Sequence, residues 1–213
     1  MLEAGADQLL IHAPPMIDLA EELKAFAVRG MHLPSLRVDP ASIRAVIVNE
    51  VVPELPEDDF YGSAPAPQYL STALPLFRQA GLPASSIREV TDAGIYITNA
   101  IKTPKTETTV PPAMMEESLP VLERELSLFP NLRAVMLMGD VAKKAFNLIA
   151  RSKTGKNAIP AGSTYKLRGT AFHSMGWRIF PSYIMTGRNL LIEKSKMTMA
   201  AEDIRAMLEF IHG

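Results

Sequence analysis

Hydrophobic and polar positions along the chain follow two different periods. Short apolar runs rich in β-branched residues predict strands that are buried on both faces of a parallel sheet. Helical spacing of apolar residues between these runs predicts amphipathic helices. Strands are predicted at 43–48, 95–98, 135–138 and 177–180, and helices at about 67–80, at 114–128, after Gly139 and at 199–212.

Strands that alternate with helices indicate βαβ units, whose crossovers are right-handed and whose helices cover both faces of the sheet. We therefore expect an α/β fold, a three-layer α/β/α sandwich with a central, mainly parallel four-stranded sheet. The length of 213 residues and the hydrophobic share of 47% are ordinary for a globular chain, so residues 1–213 are predicted to form a single domain. Residues 1–40 are expected to be an N-terminal helical segment packed on it, with apolar positions at helical spacing from Met16 to Phe26.

The chain contains no cysteine, which excludes disulfides, thiolate nucleophiles, Cys-ligated zinc and a Cys-ligated iron–sulfur cluster. No run reaches the roughly 20 apolar residues that span a bilayer, and Glu3 and Asp7 stand where a secretory signal would be basic. We expect a soluble cytoplasmic protein with no membrane contact. The formal net charge is −1, so contact with nucleic acid requires a local basic patch, for which residues 168–196 are the candidate.

Polar and aromatic side chains follow the first two predicted strands, at the sheet edge where open parallel sheets bind ligands. Asn49 and Glu50 end the first strand, and Phe60 and Tyr61 come after a proline-rich acidic loop. A carboxylate in this place can polarise a water molecule, and an aromatic ring can stack on a flat ligand. Asn99 ends the second strand, where its amide complements the edge of an amide-like base such as uracil. As structural alternatives, Glu50 is a solvated acid, Phe60 anchors the loop in the core and Asn99 caps a turn.

A third candidate segment follows the fourth predicted strand. A loop that carries proline, serine and apolar side chains can press into a DNA groove and hold open the gap left by an extruded base. The alternative is an ordinary proline turn. The candidate DNA-binding residues of this loop are Phe180, Pro181, Ser182, Tyr183, Arg188 and Asn189.

Taken together and in order, these segments resemble the uracil-DNA glycosylase superfamily, most closely its bacterial and archaeal branch that usually carries an iron–sulfur cluster. The resemblance spans about residues 43–210. Residues 49–53 and 57–62 partly match that branch's Gly-Glu-Ala-Pro-Gly and Pro-Phe-Val-Gly motifs, and residues 96–102 match its Tyr-x-Thr-Asn-x-x-Lys. Further similarity is found in a strand, glycine and alanine-rich helix at 136–146, in an Arg-Gly pair at 168–169 and in the closing helix at 201–204.

The resemblance implies a DNA glycosylase that flips uracil or a related deaminated base out of DNA and hydrolyses its N-glycosidic bond, as in base excision repair. It implies that no metal ion, metal cluster or other cofactor is required, and we expect a monomer. In this interpretation the base stacks on Phe60, with Tyr61 beside it, and is read by Asn99. A water is positioned against the sugar C1′ by Glu50 or Asn49. Both residues are candidates because the motif aligns in two registers that differ by one residue.

Two departures from the family pattern bear on this interpretation. The cluster-binding cysteines are missing, and Phe180 replaces the histidine of the family's His-Pro-Ser loop, which would stabilise negative charge on the departing base. Losing one such donor costs on the order of 3–4 kcal/mol of transition-state stabilisation. Arg188, Asn189 or His173 could supply another donor. The alternatives are a catalytically weak or inactive member that binds damaged or single-stranded DNA, and an enzyme for another base such as hypoxanthine or xanthine.

Overall fold

The protein is built around a central β-sheet. The structure is a computed structural model, which describes residues 15–104, 106, 109–187 and 192–213. The strands of the described residues, in chain order, are β1 Ile17–Asp18, β2 Arg37–Val38, β3 Ala45–Val51, β4 Ile95–Ile101, β5 Ala134–Met138, β6 Phe172–Ser174 and β7 Trp177–Ser182. Five of them form the sheet in the order β4-β3-β5-β7-β6, and β1 pairs with β2 in a separate antiparallel ribbon. All neighbours in the main sheet are parallel except β6 and β7.

The predicted α/β sandwich is confirmed, with one strand more than expected. The four predicted strands correspond to β3, β4, β5 and β7, and β7 continues two residues past the predicted end. The additional strand, β6, has three residues and is partly exposed, so no apolar run signals it. It joins β7 through a two-residue turn in which Met175 and Gly176 have φ of 52° and 84°. A type I′ hairpin turn requires positive φ at both of these positions.

Helices cover both faces of the sheet. The described helices are α1 Leu19–Leu23, α2 Gln68–Ala80, α3 Ile87–Asp92, α4 Pro112–Ser127, α5 Asp140–Thr154, α6 Thr164–Leu167 and α7 Lys194–His212. On one face α4 and α5 pack against the strands, so that Val46 shares a core with Phe146. On the other face α2, α3 and α7 form a second core, in which Ile47 packs with Phe77. None of the described helices is long and apolar enough to cross a membrane.

The N-terminal helix is shorter than predicted. The prediction of one helix that includes Met16 to Phe26 is wrong, because Ile17 and Asp18 pair with β2 as a strand. Asp18 then caps α1, since its Oδ1 accepts hydrogen bonds from the backbone N–H groups of Ala20 and Glu21 at 3.0 and 3.4 Å. A short 3₁₀ helix, Lys24–Phe26, follows α1. The predicted segment before residue 15 lies outside the described residues.

A buried ion pair joins the end of β4 to α4. Lys102 Nζ donates to Glu125 Oε2 at 2.5 Å and to Thr98 Oγ1 at 2.6 Å. The hydroxyls of Tyr96 and Thr98 both donate to Glu125 Oε1, at 2.6 and 2.8 Å. Lys102 and Glu125 are only 2% and 0% exposed, so each charge depends on the other for stabilisation.

Removing one partner of this pair should therefore destabilise the fold strongly. Lys102→Met leaves a buried carboxylate without its cation, and we expect a loss of about 3–5 kcal/mol of unfolding free energy in urea denaturation. The double variant Lys102→Met/Glu125→Gln should recover most of this loss, because the glutamine carbonyl still accepts from both hydroxyls. Wild-type stability in Lys102→Met would contradict the interpretation.

Candidate functional site

A chain of polar side chains lies at the carboxyl edge of the sheet. Asn49 and Asn99 are register partners on β3 and β4, so both side chains point to the face covered by α2 and α7. Asn49 Nδ2 donates to Asn99 Oδ1 at 2.9 Å, and Asn99 Nδ2 donates to Asp59 Oδ1 at 2.9 Å. Thr186 Oγ1 donates to Asn49 Oδ1 at 3.3 Å. We call Asn49, Asp59, Asn99 and Thr186 the amide cluster.

Asp59 is the charged member of the amide cluster. Burial raises the pKa of its carboxyl group above the ordinary value, although the hydrogen bonds from Asn99 and the Phe60 backbone and the nearby charges of His32 and Lys102 act in the opposite direction. His32 Nε2 lies 3.8 Å from Asp59 Oδ2, and this nitrogen is buried with no hydrogen-bond partner among the described residues. A buried carboxyl group with a raised pKa beside a histidine is typical of functional sites.

Glu50 points to the opposite face of the sheet, because successive strand residues alternate. Its Oε1 accepts a hydrogen bond from the backbone N–H of Val141 at 3.1 Å, in the first turn of α5. Its carboxylate also lies against Gly139, where an added Cβ would come within 2.3 Å of Glu50 Oε1. The glycine therefore makes room for this carboxylate at the helix N-terminus, where a negative charge is favourable.

The aromatic candidates are less accessible to a ligand than an exposed aromatic ring would be. Phe60 is 1% exposed, and its ring lies 5.2 Å from that of Tyr69 in a tilted arrangement. The Tyr61 hydroxyl accepts from the Ile97 backbone N–H at 3.1 Å, and its ring stacks on Tyr96 at 5.8 Å. Both aromatic rings thus tie the loop after β3 to the sheet. Their contact with a base stays a prediction.

The predicted loop is wrong for Phe180, Pro181 and Ser182, because these residues belong to β7 and are buried. Their contact with DNA stays a prediction. The Phe180 ring lies in the second core, 5.9 Å from the ring of Phe210. Ser182 Oγ donates to Asp203 Oδ2 at 2.6 Å. Tyr183 is partly exposed just beyond the strand, and its contact with DNA stays a prediction. The candidates at 188 and 189, Arg188 and Asn189, lie outside the described residues.

Two cations of the candidate basic patch at 168–196 are neutralised by acidic neighbours. Arg168 contacts Glu202 and Asp203 at 2.8 and 2.9 Å, and Lys196 pairs with Glu193. His173 lies on β6, at the far edge of the sheet from Asn99 on β4. His173 is therefore remote from the amide cluster and does not replace the missing family histidine there.

Three surface clefts stand out among the described residues. One lies beside α5, one between α2 and α3, and one beside β2. Glu50, Phe60 and Asn99 line none of these three clefts. In this structure the candidate base-binding residues are thus packed together by their own hydrogen bonds and ring contacts.

Comparison with known families shows the superfamily to which the chain belongs. The sequence model of the uracil DNA glycosylase superfamily matches residues 58–205, which is more than half of the chain. The chain belongs to this superfamily. A search among curated proteins finds no match. Superfamily membership supports a glycosylase-type hydrolase that acts on DNA. The narrower resemblance to the iron–sulfur branch stays a prediction.

The matched segment includes most of the amide cluster. Asp59, Asn99 and Thr186 lie within it, whereas Asn49 and Glu50 precede its first residue. The pattern of strands and polar residues in the sequence indicated Asn49 and Asn99 but not Asp59, Thr186 and His32. Asp59 lies in the acidic run before Phe60 and so had a local signal. Thr186 and His32 had no local signal in the sequence, because only the tertiary structure brings them to the ends of β3 and β4.

Replacing Asp59 by asparagine should stabilise the protein at neutral pH. A carboxyl group whose folded pKa is raised binds its proton more tightly in the folded state, so wild-type stability falls as pH rises through that pKa. The substituted amide stays neutral throughout and still accepts from Asn99. We expect a higher melting temperature for Asp59→Asn at pH 8, and a difference that shrinks as pH falls towards 4. A variant less stable than wild type at pH 8 would contradict this interpretation.

Proposed function

We propose that this member of the uracil DNA glycosylase superfamily excises uracil or another deaminated base from DNA. The observation that carries the proposal is the hydrogen-bonded amide of Asn99 at the carboxyl edge of the sheet, inside the segment that matches the family. Asn49 and Asp59 hold this amide in one orientation. A fixed amide can read a base that has been flipped out of the helix.

Asn99 retains the groups needed to read a deaminated base. Its amide nitrogen carries two hydrogens and its oxygen two lone pairs, of which Asp59 and Asn49 use one each. The remaining donor and acceptor complement a ring N–H next to a carbonyl group. Uracil, hypoxanthine and xanthine all present this edge, whereas cytosine and adenine, the parents of the first two, do not. Asn99 can therefore distinguish uracil and hypoxanthine from their parent bases.

Glu50 is the better candidate for activating the water. Asn49 is fully buried, and its amide donates to Asn99 and accepts from Thr186, which suits a positioning role. Glu50 is partly exposed at the end of the same strand, and a carboxylate can take a proton whereas an amide cannot. We infer that Asn49 orients Asn99 and that Glu50 polarises the attacking water.

A second candidate function is binding of damaged or single-stranded DNA without efficient cleavage. The observation that favours it is the burial of Phe180 in the second core, because this side chain offers no hydrogen-bond donor to a departing base. The second amide hydrogens of Asn49 and Asn99 are the donors of the amide cluster that could take over part of this stabilisation, because Thr186 already gives its one hydroxyl hydrogen to Asn49. The two functions differ in the outcome of one excision assay.

That assay uses labelled oligonucleotides containing a single uracil, hypoxanthine or xanthine, followed by alkali to break the strand at an abasic site. We expect cleavage by the wild type and at least a hundredfold slower cleavage by Asn99→Ala, because one preorganised hydrogen-bonding group is worth about that factor. Asn131→Ala is the matched control, since the exposed Asn131 side chain donates a hydrogen bond to the Ala41 carbonyl, away from the amide cluster. Retained binding without cleavage by the wild type would favour the second function.

Replacing Glu50 by glutamine tests the proposed base. Glutamine can still accept the hydrogen bond from the Val141 N–H, so the fold should persist, but it cannot take a proton. We expect cleavage to fall by about a hundredfold or more while affinity for the same oligonucleotide stays within a factor of two or so of wild type. Undiminished cleavage by Glu50→Gln would show that another group activates the water.

A further inference from the structure

One segment of the chain is strongly basic although the protein is not. Residues 140–168 carry seven Lys and Arg residues and a single acid, Asp140, whereas the whole chain has a formal net charge of −1. The rest of the chain is therefore net negative. This segment comprises α5, α6 and the connection between them.

Three of these basic residues, Lys143, Lys144 and Arg151, line a cleft beside α5. Lys144 and Arg151 lie seven residues apart on the helix and therefore share one face. The cleft has a volume of about 380 Å³ and is closed on its other side by residues 157–162. The Arg151 guanidinium donates to Asn157 Oδ1 at 2.8 and 3.1 Å, which joins the two walls. A space of this size can receive a phosphate and its sugar.

Several of the cations in this segment lack an acidic partner. Lys143, Lys153 and Arg168 form ion pairs with acidic residues. Among the residues that the structure describes, four cations of the segment have no carboxylate oxygen within 4.0 Å: Lys144, Arg151, Lys156 and Lys166. All four are exposed. Uncompensated cations spaced along one surface are the electrostatic footprint expected for a phosphate backbone.

An exposed aromatic side chain lies on the same surface. Tyr165 is 70% exposed and precedes Lys166 in α6. Lys143 Nζ donates to Thr164 Oγ1 at 2.8 Å, which holds the start of α6 beside the first turn of α5. Aromatic rings interleaved with cations bind single-stranded nucleic acid, because bases stack on the rings while phosphates contact the cations.

The surface begins at the candidate functional site. Glu50 accepts from the Val141 N–H, so the first turn of α5 lies at the carboxyl end of β3. A DNA strand whose reacting nucleotide lies beside Glu50 can therefore continue along α5. We propose that the exposed residues Lys144, Arg151, Lys156, Tyr165 and Lys166 form a binding surface for single-stranded DNA. This inference takes its partner from the proposed function but does not depend on catalysis.

The test measures fluorescence anisotropy of a labelled single-stranded oligonucleotide of ordinary bases between about 50 and 200 mM salt. The triple variant Lys144→Gln/Lys156→Gln/Lys166→Gln should bind more weakly. Its slope of log affinity against log salt should be shallower by about 2, because each lost phosphate contact removes about 0.7. Tyr165→Ala should lose about tenfold in affinity with little change in slope, whereas Tyr165→Phe keeps the ring and should bind like wild type.

The matched control removes three exposed cations elsewhere, Lys24→Gln/Arg37→Gln/Arg88→Gln. We expect it to keep most of the affinity and the wild-type slope. An equal loss in the control variant would show that only total charge matters and would overturn the proposal. An unchanged slope in the first triple variant, or no binding by the wild type, would overturn it too. Equally tight binding of polyglutamate would assign the surface to acidic proteins instead.

The excision assay separates failure of this inference from failure of the proposed function. Binding that depends on Tyr165 and the three lysines, without excision by the wild type, would uphold the surface and reject the glycosylase activity. Excision by the wild type, with binding that the variants leave unchanged, would uphold the activity and reject the surface.

Discussion

The alternation of side chains along β3 is the constraint on which the candidate site depends. Asn49 and Glu50 are consecutive, so a strand must send them to opposite faces of the sheet. The parallel register then places Asn49 directly beside Asn99, and their amides bond to each other. Glu50 is left to meet the first turn of α5. The two residues therefore have different neighbours, although they occupy adjacent positions in the sequence.

Buried polar groups require partners, and this requirement explains the two networks at the ends of β3 and β4. On one face, the Lys102–Glu125 ion pair is enclosed by two hydroxyl groups and joins the sheet to α4. On the other face, the amide cluster includes Asp59, whose burial raises its pKa. The first network is fully paired and suits a structural role. The second keeps a costly carboxyl group next to His32, which suits a functional one.

For the binding of nucleic acid, the distribution of charge over the protein matters more than its net charge. A net charge of −1 gives no indication of nucleic-acid binding, yet α5 and α6 carry most of an uncompensated basic surface. Arg168 and Lys196 are not part of this surface, because both are paired with acidic residues. An overall charge near zero can thus conceal a local field strong enough to guide a polyanion.

The sequence by itself determined the sandwich, the four long strands and the pair Asn49 and Asn99, because apolar runs and strand ends are local signals. It also determined that no cysteine-bound cluster can form. Only the tertiary structure decided that Phe180 packs in the core and that Asp18 starts a short helix after a strand. It alone joined Asp59, Thr186 and His32 to the two asparagines. Contacts between residues far apart in the chain leave no periodic trace in the sequence, since they arise from packing rather than from local propensity.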